Sequence, residues 1–202
     1  MARGAFGIVV TVVGLAPLLC AAGGCGSQAA AVPNPVYQGW AGFEPGSSVT
    51  LKCDRKSGDT QRTVEVTQRL VERTPEHIVL ERTIITTGGQ QRPPVVTTKV
   101  EPAMIEPVDS PRTHPQARFS DLGTDSVEIK GRSYPCRVSQ WELHVAFGEP
   151  VPSSEDVRLR LSTNQEIPGG TARIHLVRHS PSHDMELSGQ AIDFKAVRKG
   201  GK

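Results

Sequence analysis

The sequence predicts a mainly β protein: one curved antiparallel sheet of about eight or nine strands, folded as an open half-barrel or a sandwich-like meander. Several segments alternate apolar and polar residues with a period of two, which is typical of strands with one buried face. Glycine (20) and proline (16) are plentiful and lie between these segments. No segment after the N-terminal leader shows a sustained helical period, so we expect little helix there.

The clearest strand pattern lies in residues 126–147. Trp141 and Leu143 fall on one side of this segment, and Gln140 falls on the other. Gly131 precedes the alternating run and can adopt the positive φ of a tight reversal. We therefore expect a hairpin whose long second arm carries Trp141 into the core.

The remaining alternating segments predict strands at residues 48–53, 63–70, 78–87, 95–100, 157–162, 171–177 and 185–197. The apolar phase of the last strand changes around Gly189, where we expect a β-bulge. Trp40 and Phe43 precede the first strand and are expected to fill the core. The four prolines of residues 101–123 predict a long surface excursion, whose role stays open.

Residues 1–24 are predicted to form a signal peptide. Arg3 gives a short positive start, and an apolar run over residues 5–19 is interrupted by Pro17. This run is shorter than the roughly 20 residues that span a hydrocarbon core. We expect residues 25–36 to be a tether, residues 37–197 to be the β domain, and residues 198–202 to be a frayed basic tail.

The end of the leader, Ala22-Gly23-Gly24-Cys25, resembles a bacterial lipobox. This resemblance implies that Cys25 is acylated, for example with palmitate, and becomes the mature N-terminus. The protein would then be exported and held to the cell envelope, at the outer membrane or a periplasmic face. Ordinary cleavage that leaves Cys25 unmodified, giving a periplasmic or secreted protein, is the alternative that stays open.

The charge balance argues against nucleic acid as a partner. The chain has 23 basic and 21 acidic residues, a formal net charge of +2. Nucleic-acid-binding domains are usually strongly basic or carry a basic face.

Two further cysteines, Cys53 and Cys136, follow the leader. An oxidising compartment permits a disulfide between them. Cys53 shares the inward parity of Leu51, whereas Cys136 shares the outward parity of Gln140, and side chains on opposite faces cannot form the bond. A bulge at Pro135 would reverse that parity, so both states stay open.

No catalytic or metal-binding constellation is recognised in the sequence, and we predict a protein that is not an enzyme and holds no metal or cofactor. His175, His179 and His183 are four residues apart, which on a strand is about 13 Å, too far to share an ion. The adjacent Ser182-His183-Asp184 does not predict a triad, because triads are assembled in space.

One predicted surface feature is basic. Arg158 and Arg160 point outward from one strand, and Arg173 and His175 point outward from the next. With no acid between them, these residues predict a patch for an anionic partner such as phospholipid headgroups, an acidic polysaccharide or a protein. The alternative is a solvated face that is kept charged to prevent edge pairing.

Three groups of turn and aromatic residues resemble small exported bacterial proteins that look like the lipoprotein-carrier (LolA/LolB-type) superfamily. These groups are Trp40, Phe43, Gly46, Ser47 and Val49; Gly131, Tyr134 and Cys136; and Ile167, Pro168, Gly169 and Gly170. The resemblance implies a strongly curved open half-barrel whose concave side takes apolar chains.

The function expected from these features is a membrane-anchored, non-enzymatic lipoprotein that acts as a binding or structural module. The alternative is a carrier or sensor that holds a lipid acyl chain in the concave face of the sheet. The sequence leaves the identity of the ligand and the oligomeric state open.

Overall fold

The computed structural model describes residues 30–87, 93–106, 116–147, 153–180 and 184–198. The predicted signal peptide, Cys25 and residues 199–202 lie outside this part of the chain.

Strands dominate the described residues, as the sequence predicts. The elements are β1 (Val32–Pro33), α1 (Pro35–Trp40), β2 (Ser48–Ser57), β3 (Thr60–Arg73), β4 (His77–Thr87), β5 (Val95–Pro102), β6 (Met104–Ile105), β7 (Ala117–Ile129), β8 (Arg132–Phe147), β9 (Ser153–Thr163), β10 (Thr171–His179) and β11 (Met185–Lys195). Nine strands form one curved antiparallel sheet that does not close into a barrel, and β1 and β6 form a small separate sheet.

The strand order differs from a simple sequential meander. It runs β5-β4-β3-β2-β11-β10-β9-β8-β7, so the first and last long strands pair at the centre while β5 and β7 are the edges. Pro102 ends β5, and Pro107, Pro111 and Pro115 lie between β6 and β7. Proline lacks the backbone N–H that a ladder needs, so a proline-rich segment suits the connection between the two edge strands.

Most of the core lies on one face of this sheet, and the β7–β8 hairpin adds Val127, Tyr134 and Cys136 from the other face. Leu51 and Cys53 of β2 point inward with Val49, as the alternation predicts, and all three are buried. The ladder continues this face from Cys53 through Gly189 and Ile174. Trp141, Trp40 and Phe43 belong to the same buried cluster, which confirms their predicted core positions.

The short helix α1 is specified locally. Asn34 caps it by accepting a hydrogen bond from the Val36 backbone N–H at 2.9 Å, and Pro35 occupies the first turn. The Asn34 side chain also donates to the Pro102 carbonyl oxygen at 2.8 Å and is 3% exposed. The helix start is thereby tied to β5.

Two predicted boundaries are wrong: the end of the tether and the extent of the proline-rich excursion. The tether was expected to reach residue 36, but Val32–Pro33 pairs with Met104–Ile105 and Asn34 is buried. The excursion was expected to cover residues 101–123, yet β5, β6 and β7 occupy much of that range. Local proline content did not reveal these pairings, because each depends on a partner far away in sequence.

The C-terminal strand also departs from expectation. Its bulge falls between Ala191 and Asp193 rather than at Gly189, which stays in the ladder opposite Cys53. The predicted frayed tail is wrong for Arg198, whose guanidinium lies 5.3 Å from the centre of the Phe43 ring. A cation over an aromatic face is held by the ring quadrupole, and this position fixes the start of the tail.

The β9–β10 connection packs against α1 through two glycines. The Gly169 backbone N–H donates to the Gly39 carbonyl oxygen at 3.0 Å. A Cβ atom at Gly39 would lie 2.6 Å from the Gly169 carbonyl oxygen, which is closer than real contacts allow. Gly169 itself has a φ of +77°, a conformation that favours glycine.

We expect Gly39→Ala to lower the free energy of unfolding by about 1–3 kcal/mol, because the added methyl group must displace backbone atoms of the packed turn. Urea denaturation followed by circular dichroism measures this change. Gly42→Ala is the matched control, since a Cβ atom there meets nothing within 4 Å. Equal stability of the two variants would contradict the close-packing explanation.

Candidate functional site

The tip of the β7–β8 hairpin folds over the polar face of β10 and β11. The Gln190 side chain donates to the Glu128 carbonyl oxygen at 2.9 Å, although three strands separate β7 from β11 in the sheet. Lys130 pairs with Asp193 at 2.6 Å, again joining the tip to β11. Neighbouring strands are about 4.8 Å apart, so β7 and β11 would be too far apart to touch on a flat sheet. These contacts therefore require strong local curvature.

The curled hairpin borders a polar hollow of about 650 Å³ on this face. Its charged and polar lining comes from five strands, and its members are Lys52, Asp54, Asp125, Arg160, Ser162, Arg173, His175, Ser188 and Gln190. Ile174, Gly189 and Ile192 complete the lining. We call this set of residues the polar hollow.

The register explains how residues far apart in sequence reach the polar hollow. One row across the strands contains Lys52, Gln190, Arg173 and Ser162. The next row on the same face contains Asp54, Ser188, His175 and Arg160. Side chains of paired residues lie on the same face, so both rows project together.

The four residues of the predicted basic patch do lie on one face of the sheet. The expectation that no acidic residue lies among them is wrong. Arg158 pairs with Glu142 at 2.9 Å, Arg173 with Asp125 at 2.8 Å, and His175 with Glu186 at 3.0 Å,,. The acids come from β7, β8 and β11, and the prediction considered only β9 and β10. Three of the four patch residues line the hollow, while Arg158 does not.

Two cations of the polar hollow are without a partner in the described part of the chain. Arg160 and Lys52 are exposed, and neither makes a hydrogen bond or an ion pair with another described residue. The other cation, Arg173, and the carboxylate of Asp125 neutralise each other, and Asp54 accepts a hydrogen bond from Thr63. The three cations (Lys52, Arg160 and Arg173) and the two carboxylates (Asp54 and Asp125) give the lining a net charge of +1, not counting His175.

No protein-family model matches this chain, and no curated protein is significantly similar to it in sequence. Among solved structures, the chain is similar to the crystal structure of a DUF1329 family protein from Desulfovibrio piger. The likeness has 8% identity and a TM-score of 0.30, over 81% of this chain and 93% of that chain. A TM-score of this size does not establish a shared fold, so membership of the lipoprotein-carrier superfamily stays a prediction.

The two cysteines of the domain are free thiols on opposite faces of the sheet. Cys136 has the predicted parity, but it is buried rather than solvated because the hairpin around it curls inward. Burial, with the nearby charge of Asp54 as a smaller cause, raises the pKa of the Cys53 thiol to about 11. Burial also raises the pKa of Cys136, so both thiols stay protonated and poorly nucleophilic at neutral pH.

The structure describes two of the three histidines that follow one another at intervals of four residues. His175 and His179 lie on the same face of β10, and His183 falls outside the described residues. His175 contacts Glu186, whereas His179 contacts Asp184 at 3.0 Å.

Among the residues that the structure describes, no helix is long and apolar enough to cross a membrane.

Sequence reasoning missed Lys52 and Gln190 as members of the site. Their alternation predicts outward side chains, but only the β2–β11 pairing brings them beside Arg173. That pairing joins strands from the two ends of the domain, and no local sequence pattern predicts it.

Weakening the hairpin tip should expose its amides to solvent. We expect Asp125→Asn combined with Lys130→Met to speed hydrogen exchange of residues 126–134 roughly fivefold, because two partly exposed ion pairs are removed. Exchange measured by mass spectrometry reports this change. Arg137→Met is the control, since the ion pair of Arg137 with Asp121 lies within the hairpin and does not reach β11. Equally fast hydrogen exchange in the control would contradict the role of the tip contacts.

Proposed function

We propose that this protein is a non-enzymatic binding module of the bacterial envelope, and that the polar hollow binds an anionic group such as the phosphate of a lipid headgroup. The observation that carries the proposal is that two exposed cations, Lys52 and Arg160, share one recessed site and form no ion pair with another described residue. Hydrogen bonds from charged donors to phosphate oxygens are about twice as strong as neutral ones.

The neighbouring groups suit such a ligand. Ser162 and Ser188 supply hydroxyl groups, and the Gln190 amide lies beside Arg173 in the same row. A recess with a few convergent polar groups is a common form of small-ligand site. An anion that enters the hollow would be positioned by these donors and attracted by the two free cations.

Lipid anchoring at Cys25 belongs to the same proposal. The first described strand, β1, begins at Val32, so a short segment separates Cys25 from the folded domain. An acyl anchor on Cys25 would hold the polar hollow near a membrane surface and raise the local concentration of lipid headgroups.

The alternative of an acyl-chain carrier has less support from the described residues. The apolar side chains of the sheet are packed together in the core, and the hollow is lined mainly by polar and charged groups. Burying a hydrocarbon chain against those groups would leave them without hydrogen-bond partners, which costs free energy.

We expect Lys52→Ala with Arg160→Ala to weaken binding to phosphatidylglycerol vesicles at least tenfold, an effect of about 1.4 kcal/mol. Flotation of vesicles measures it, in a Cys25→Ala background that removes any acyl anchor. Binding should also weaken as salt is raised, because the interaction is between exposed charges.

The matched control is Lys56→Ala with Arg158→Ala. It removes the same two charges from the same two strands, and neither residue lines the hollow. Equal weakening by both pairs, or binding that does not depend on salt, would show that the hollow is not the binding site.

A second prediction concerns the anchor. Intact-mass measurement of the protein from a bacterial membrane fraction should show an acylated N-terminal Cys25, because the preceding small residues suit lipoprotein processing. Cys25→Ala should abolish the acyl mass, and Cys20→Ala should leave it unchanged. An unmodified Cys25 in the mature chain would refute the anchor.

A further inference from the structure

A row of alternating histidines and aspartates crosses the polar face away from the hollow. His144 of β8 and His179 of β10 are both register partners of Asp156 on the intervening β9. The β10–β11 ladder ends at Arg178 and Met185, and its next step places His179 opposite Asp184. We call these four residues the histidine–aspartate row.

The side chains of this row already contact one another in pairs. The Nδ1 atom of His144 lies 2.5 Å from Oδ1 of Asp156, and Nδ1 of His179 lies 3.0 Å from Oδ1 of Asp184. All four side chains are more than half exposed, between 61% and 72%. Solvent and ions therefore reach every member of the row.

Two imidazoles and one carboxylate, from His144, His179 and Asp156, are a ligand set that suits zinc and similar divalent transition metals. His144 and His179 flank Asp156, so their backbones are two strand spacings, about 9.6 Å, apart. The longer imidazoles can lean inward over the shorter aspartate from both sides. In the described residues no three such side chains yet converge on one point, so binding requires rotation of these exposed side chains.

The surroundings do not oppose a cation. The nearest cation on this face of β9 is Arg158, which Glu142 engages at 2.9 Å. Arg178 and Glu155, which adjoin the row in sequence, pair with each other on the opposite face. Neither arginine offers a free positive charge to repel the ion.

We propose that the histidine–aspartate row is a surface site for a divalent transition metal ion, with zinc as the ion to test. Asp156 is the central ligand and the two histidines bind from either side, while Asp184 contacts the His179 imidazole and orients it. The site is separate from the polar hollow, because Asp156 lies four residues along β9 from Arg160, about 13 Å.

The test is a calorimetric titration of the full chain, freed of metal with a chelator, with zinc chloride. We expect one ion per chain, and a loss of affinity of at least tenfold in His144→Ala and in His179→Ala. His175→Ala is the matched control, since His175 is a partly exposed histidine on the same strand and face as His179 and also contacts a carboxylate. Circular dichroism establishes that each variant is folded.

Cobalt distinguishes this row from the cysteines of the chain. The absorption spectrum of the cobalt-loaded protein should lack the near-ultraviolet charge-transfer band that thiolate ligands produce. A thiolate band, an absence of zinc binding, or an equal loss in His175→Ala would overturn the proposal. Zinc binding should persist in the Lys52→Ala and Arg160→Ala variant, which separates this site from the proposed anion site.

Discussion

The pairing of β2 with β11 is the constraint on which the rest of the structure depends. It joins the first and last long strands through ten residue pairs and links two meanders into one sheet. At its centre, a Cβ atom at Gly189 would lie 2.5 Å from Cys53 Sγ and 3.0 Å from Cγ2 of Ile174. An added Cβ atom would have to displace the Cys53 and Ile174 side chains, so glycine allows β2, β11 and β10 to pack closely at this point.

The curl of the β7–β8 hairpin is the second feature that shapes the candidate site. It divides the polar face of the sheet into a covered part and an open part. Val127 and Cys136 belong to the covered part and are almost fully buried, although their neighbours along the strands are solvated. Tyr134 packs edge-on against Phe194 at 5.5 Å between ring centres, which fixes the hairpin over the end of β11. The open part that remains is the polar hollow.

Electrostatic pairing across the strands decides which charged residues remain available. Arg137, Arg158 and Arg178 each pair with an acid on the neighbouring strand, as cross-strand pairing favours, and Arg173 pairs with Asp125 of the overlying β7–β8 hairpin. Such partly exposed pairs contribute little stability, about 0–1 kcal/mol each, but they cancel charge locally. Arg160 lies opposite Gln140 and His175 and so faces no acid on either adjacent strand, whereas Lys52 lies between Gln190 and Glu65 and forms no ion pair with the latter.

The sequence by itself determined the strands, their inward and outward faces, the Gly131 reversal and the core positions of Trp40 and Trp141. These features follow from a period of two residues and from turn chemistry, which are local properties of the chain. Only the tertiary structure decided that β2 meets β11, that the hairpin tip reaches Gln190, and that acids from other strands meet the patch arginines. Those outcomes depend on which strands are neighbours and on how far the sheet curves, and alternation within one strand carries no information about either.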